Sequence, residues 1–286
     1  MKAAGILLSA FVAATVPSVT AVDASRARLA IRASDSQATG LHEPLDRVLD
    51  TYVRGGLVYY RALKAERAVI DRYVASLDLA PAQLSALPAD AQKAFWINAY
   101  NALVLRTVID AYPIKGKSPE YPVESLRQIP GAFEKRQHRV AGQMLTLDEI
   151  ETRILAGFGD ARVVLALGRG AIGSGRLRSE AFIASKLTAQ LDDAVKECVE
   201  RKACFQIDRT ANLIRVSPMI GWRAELFERY FRGASGSWAK RSPIERAIAA
   251  MAAPHLLSSE RDVFETDAFK MQYGEFDWRL NDLTSR

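Results

Sequence analysis

Histidine and cysteine are scarce: the 286-residue chain holds His42, His138 and His255, and Cys198 and Cys204. The histidines are scattered without ligand spacing and the cysteines do not form Cys-x-x-Cys, so no metal and no cofactor are expected. Charge of one sign is also lacking. Basic and acidic residues are interleaved and the net charge is only +6. The chain has no stripe of Lys, Arg and stacking aromatics of the kind single-stranded nucleic acid needs, so no nucleic-acid partner is expected. Internal repeats are absent, and 49% hydrophobic with 25% charged residues excludes a disordered polymer. Long apolar runs are missing too. The longest, Ala3 to Val16, falls short of the roughly 20 residues that cross a bilayer.

That run follows Met1-Lys2 and is followed by Val19-Thr20-Ala21. A basic start, a short apolar stretch and a small-residue exit predict a signal peptide over 1–21, cleaved after Ala21. The expected product is periplasmic or secreted, with no transmembrane segment in the mature chain. Residues 22–40 (VDASRARLAIRASDSQATG) are small, polar and unpatterned, as in a tether, and 41–286 are expected to form one globular domain. The positive balance favours encounter with anionic partners, either a small molecule or an envelope component. Export also permits a disulfide between Cys198 and Cys204, whose small loop would add roughly 2 kcal/mol of stability.

Apolar periodicity predicts helices over Pro44–Val53, Leu63–Leu77, Ala89–Tyr112, Glu180–Val199, Trp222–Phe231 and Pro243–Ala253. Leu57–Tyr60 reads as a short extended piece after Gly55-Gly56. His138–Leu145 and the apolar Arg162–Leu167 read as strands, Phe205–Asp208 and Leu213–Val216 as a hairpin, and Phe269–Tyr273 as a closing strand. Thr146-x-x-Glu149 has the form of a capping box. The long Pro/Gly-rich connection after Pro113 is either a functional loop or an excursion with a short helix. The fold class is therefore α+β: a helix-rich single domain with a small, mainly antiparallel sheet. In the Ala89–Tyr112 helix, apolar on nearly every face, Asn98 and Asn101 share a side. Each amide must bond either to a neighbouring loop's backbone or to a polar site.

The segments LDRVLDTYVRGGLVYYRAL, KAFWINAYNALVLRTV, VAGQMLTLDEIETRIL and FDWRLND resemble, in order and separation, four landmarks of the domain of unknown function 547 family. The resemblance covers residues 41–286. It implies a His directly after the Ile-Glu of the capping-box helix, a His in the following strand and two cysteines in the next turn. Here those positions hold Thr152, Val164, Arg169 and Ser174. Cys/His chemistry of that kind needs a thiolate beside an imidazole, which this chain cannot supply there. Asn98, Asn101, Glu151, Arg178 and Asp277 do match the family's pattern.

Asn98, Asn101, Glu151, Arg169, Ser174, Arg178 and Asp277 are thus the candidate ligand-binding residues. Three readings follow. One is a noncatalytic binding or scaffolding protein of the envelope. Another is a hydrolase or transferase with Glu151 or Asp277 as base and Arg169 or Arg178 as anion stabiliser. The third is a redox role for the cysteine pair. In the turn Gly168–Arg178, Arg169 and Arg178 are expected to face solvent and hold an anionic ligand, so that Arg169→Ala barely moves the melting temperature. The alternative is a turn whose arginines meet water or carboxylates. Ser174 would need an activating base, and His138 is the nearest histidine in sequence.

Overall fold

The computed structural model describes residues 40–232, 240–265 and 268–285. The expected signal peptide and all of the expected tether but Gly40 lie outside the described residues, and Gly40 already opens helix α1 (40–52). That helix buries Leu45, Val48 and Leu49, a one-sided stripe at helical spacing. It runs into a two-strand hairpin, β1 (Val53–Arg54) and β2 (Leu57–Val58). The two-residue loop between them needs positive φ at both positions, which Gly55 (61°) and Gly56 (85°) supply.

In place of one helix over Leu63–Leu77 there are two, α2 (Tyr60–Ala65) and α3 (Ala68–Ser76). The break falls at Glu66 and Arg67, whose side chains are tied to Tyr52 and to Asp71 and Asp110. After α4 (Pro81–Ser85), the long helix α5 (Ala89–Ala111) forms the axis of the domain. It is buried from Ala94 to Leu105, and α2 and α3 pack on it. The connection beyond Pro113 is the excursion with a short helix, a single 3-10 turn at Leu126–Gln128.

β3 (Gln137–Val140) and β4 (Gln143–Thr146) form an antiparallel hairpin. Its last residue, Thr146, caps the next helix: its hydroxyl accepts from the Glu149 amide at 3.1 Å, and the Glu149 carboxylate accepts from the Thr146 amide at 2.8 Å. The helix α6 (Leu147–Glu149) widens at once into a π-helical stretch, Ile150–Leu155. Such wide turns recur at functional sites.

Arg162–Leu167 is not a strand. Its first five residues form helix α7 (Arg162–Ala166), and only Leu167 is extended. Asp160 decides this locally, because its carboxylate accepts from the Arg162 amide and its carbonyl from the Val163 amide. A short run of apolar residues buried on all sides carries no period that separates helix from strand.

Helix α8 (Leu187–Glu200) begins later than its periodicity suggests. The amides of Ala181, Phe182 and Ile183 are taken by the side chains of Asp46, Asn98 and Gln190, which holds this stretch out of the helix. At its C-terminal end Cys198 and Cys204 are disulfide-bonded, with Cα atoms 5.1 Å apart.

β5 (Phe205–Asp208) and β6 (Leu213–Val216) pair antiparallel as expected, and β7 (Lys270–Tyr273) adds to β6 in parallel. Among the described residues, three of the four strand pairings are therefore antiparallel, divided among three small sheets. Helices α9 (Pro218–Gly221), α10 (Ala224–Tyr230), α11 (Pro243–Ala252) and α12 (Ser258–Glu265) lie between β6 and β7. The final segment returns to the start of the domain: Asp282 bridges to Val58, and Leu280 to Ala171. The result is a helix-rich α+β domain. Among the described residues no helix is long and apolar enough to cross a membrane.

Candidate functional site

The axis helix α5, the π-helical turn after α6 and the turn after α7 bring Tyr100, Glu151 and Arg169 together in the interior. Glu151 is 7% exposed and Arg169 only 2%. Their contact is bidentate: Arg169 Nη2 donates to Glu151 Oε1 at 2.8 Å and Nε to Oε2 at 3.2 Å. Arg223 reaches the same carboxylate, Nη2 to Oε1 at 3.0 Å, and the Tyr100 hydroxyl donates to Oε2 at 3.3 Å. The second terminal nitrogen of Arg169 points to the carbonyls of Val164 and Leu167 at 3.3 and 3.4 Å, and its guanidinium lies 5.9 Å from the Trp222 ring centre.

Burial alone would push the Glu151 carboxyl up, but Arg169, then Arg223 and Tyr100, outweigh it and hold the group below the usual carboxylate range. The same pairing acts on Arg169, where burial works against the charge and Glu151 restores it, leaving the guanidinium above its ordinary value. Tyr100 is pushed well up by burial and by Glu151. Nearby Asp148 is raised, by burial first and then by Glu134 and Glu151.

The two asparagines serve as backbone clamps. Asn98 donates to the Phe182 carbonyl at 2.8 Å and accepts from the Phe182 amide at 2.9 Å. Asn101 donates to the Ala166 carbonyl at 3.2 Å and accepts from the Gly168 amide at 2.8 Å. Both amides are satisfied by the loops that follow α7. Asn101 thereby fixes the chain just before Arg169 and aims it at Glu151.

The remaining candidates sit apart from this cluster. The Ser174 hydroxyl is buried and donates to the Ala171 carbonyl at 2.5 Å. Arg178 pairs with Glu180 at 2.7 Å and Asp193 at 3.3 Å. Asp277 is held by Arg279, which keeps its carboxyl below the usual range, and it meets the turn only through its backbone, whose carbonyl accepts from the Gly173 amide. His138 lines a cleft with Arg106, Arg136 and Asp110, not with Ser174. Burial first, then the charges of Arg136 and Arg106, push His138 down to about 4. Among the described residues no three of His, Cys, Asp and Glu gather as a metal ion requires.

The expectation of a solvent-facing Arg169 is therefore corrected. It is an interior cation whose removal strands a buried carboxylate. Arg169 and Arg178 do not share a ligand position, because each is engaged by its own carboxylates. The sequence reading missed Tyr100, although it lies on the same apolar helix between the two asparagines. Arg223, in GWRAELF, carries no signal in sequence because only folding brings α9 and α10 over the π turn.

The geometry defines a class: a helix-rich α+β domain with an ion-paired interior beside its central helix. Within that class, residues 84–199 match the family model described as Protein of unknown function, DUF547, the family that the sequence landmarks resemble. The matched stretch contains Asn98, Asn101, Glu151, Arg169, Ser174 and Arg178, while Asp277 lies beyond it. No curated protein and no solved structure matches the chain.

Proposed function

We propose that the chain is an exported cell-envelope protein that binds a polar or anionic ligand, or scaffolds a partner, without catalysing a reaction. The observation that carries this reading is the pairing of Arg169 with Glu151. A position where the family pattern places a cysteine holds a guanidinium that occupies the neighbouring carboxylate. A general base works best with a pKa near the ambient pH, whereas Glu151 and Asp277 are both held low by arginines. Ser174, its hydroxyl spent on a carbonyl, has no imidazole beside it among its hydrogen-bond partners.

Turnover tests the reading. A panel of activated ester, amide, phosphate and glycoside substrates should be hydrolysed no faster by the protein than by buffer, with Glu151→Gln and Asp277→Asn indistinguishable from it. Hydrolysis that disappears in a folded Glu151→Gln variant would overturn the proposal in favour of carboxylate and arginine chemistry.

Export has its own measurement. Mass spectrometry of the protein recovered from the periplasm or medium should find Val22 as the first residue. An intact Met1 in the envelope fraction would mean an uncleaved anchor.

A further inference from the structure

Apart from the buried ion pair, the turn after α7 meets the β1–β2 hairpin and the end of α8 around a cavity of about 220 Å³. At about 30 Å³ per water in the liquid, that is room for a tetrahedral oxyanion with water to spare. Its lining includes Arg176 and Arg201 with Gly55, Gly56 and Gly175, and no Asp or Glu; the Arg176 side chain lies over Gly55 and Gly56. Gly175 is required there, because a Cβ would fall 2.0 Å from the Leu165 carbonyl oxygen.

The two arginines differ from those nearby. Arg178, two residues on, is neutralised by Glu180 and Asp193. Arg201 donates through Nη2 to the Ser174 carbonyl at 2.8 Å, while its buried Nε has no hydrogen-bond partner. Burial is the main influence pulling the Arg201 guanidinium below its ordinary value. Glu197 works against this and Arg176 adds to it. Two like charges at one cavity of this size, with an unused buried donor on one of them, are an arrangement that an anion completes. Guanidinium groups present paired donors that match the oxygens of phosphate or sulfate.

We infer that the Arg176–Arg201 cavity is a binding site for a phosphate- or sulfate-type oxyanion, carried by a small molecule or by a lipid headgroup. This rests on the ligand-binding reading above and gives it a place and a chemical class. The site uses the basic, glycine-rich turn singled out in the sequence, but through Arg176 in place of Arg169 and Arg178, with Arg201 joining it from the end of α8.

Titration of the full-length mature protein with inorganic phosphate at fixed ionic strength, followed by calorimetry and thermal unfolding, tests it. Wild type should bind and gain thermal stability. Arg176→Gln, a change on an exposed side chain, should weaken phosphate roughly tenfold or more, as loss of a charged donor does. Arg201→Lys, which keeps the charge but loses the fork, should also weaken it. Arg72→Gln, exposed on α3, is the control for net charge and should bind as wild type.

Cosedimentation with phosphatidylglycerol vesicles, against phosphatidylcholine, separates the sources. Arg176-dependent vesicle binding assigns a headgroup, and phosphate binding without it assigns a soluble ligand. Absence of phosphate binding, or equal affinity in wild type and folded Arg176→Gln and Arg201→Lys, overturns the site. Such a failure leaves the turnover result standing, whereas hydrolysis would refute the noncatalytic reading even with phosphate bound.

Discussion

Glutamine in place of Glu151 should lower the free energy of unfolding by about 3–5 kcal/mol, the range for removing one partner of a buried ion pair. The fall is read as a lower urea midpoint at neutral pH. Arg169 is almost fully buried and its charge is balanced by the Glu151 carboxylate; Arg223, half-buried, can turn to water, but Arg169 cannot. Arg169→Ala should cost a similar amount, because it strands Glu151. The paired replacement Glu151→Leu with Arg169→Met should recover much of the loss, since two apolar side chains of similar size need no compensation. A silent Glu151→Gln variant, within about 0.5 kcal/mol of wild type, would mean that water reaches the pair and that the interior is more open than the geometry implies.

Acid should weaken the fold well above the pH at which carboxylates titrate. His42 is buried against Phe95, its Nδ1 is 2.8 Å from the Tyr73 hydroxyl, and burial lowers its pKa from 6.5 to about 4. Between those values the unfolded chain binds a proton that the folded one refuses, so stability falls as pH drops through this window and the loss levels off below it. The interval from 6.5 to about 4 corresponds to roughly 3 kcal/mol at about 1.4 kcal/mol per pH unit. His138, beside Arg106 and Arg136, adds a loss of the same sign over the same window. Glu151 acts lower: its depressed carboxyl contributes stability above the unfolded carboxylate pKa, which disappears as pH falls through the folded value. Urea midpoints from pH 7.5 to 4 should therefore slope downward, and His42→Gln should remove about one proton from that slope. An unchanged slope in His42→Gln would show that the residue is solvated.

Much of the fold was legible wherever a local rule has a single outcome. The β5–β6 hairpin, the Thr146–Glu149 capping box and the all-round apolar α5 fall where turn chemistry, cap geometry and helical period place them. Legibility ended where distant groups decide. Asn98 and Asn101 were compatible with a loop clamp, the favoured reading, or a polar site, and the clamp depends on the end of α7 and the loop before α8, more than 60 residues away. The late start of α8 has the same origin, since Asp46 and Asn98 take amides that would otherwise enter the helix. For α7, a five-residue apolar run gave no period, and the turn set by Asp160 prevailed. Glu151 and Arg169 were both singled out, yet their mutual satisfaction was invisible until the π-helical turn placed one against the other.

Contacts between Asn281, Asp282 and residues far earlier in the chain give its order of synthesis a physical meaning. Asn281 accepts from the Tyr60 hydroxyl at 2.7 Å, donates to the Gly56 carbonyl at 2.9 Å, and offers its own carbonyl to the Val58 amide at 2.9 Å. Asp282 takes the Tyr112 hydroxyl at 2.6 Å. Every partner in this seam is made 170 or more residues before the residues that close it. Until they arrive, the first hairpin has exposed edges and Tyr60 has a hydroxyl without its native acceptor. The native domain is thus a clasp that stays open until Asn281 and Asp282 reach their partners, and a chain on which they are still missing lacks the contacts that lock it.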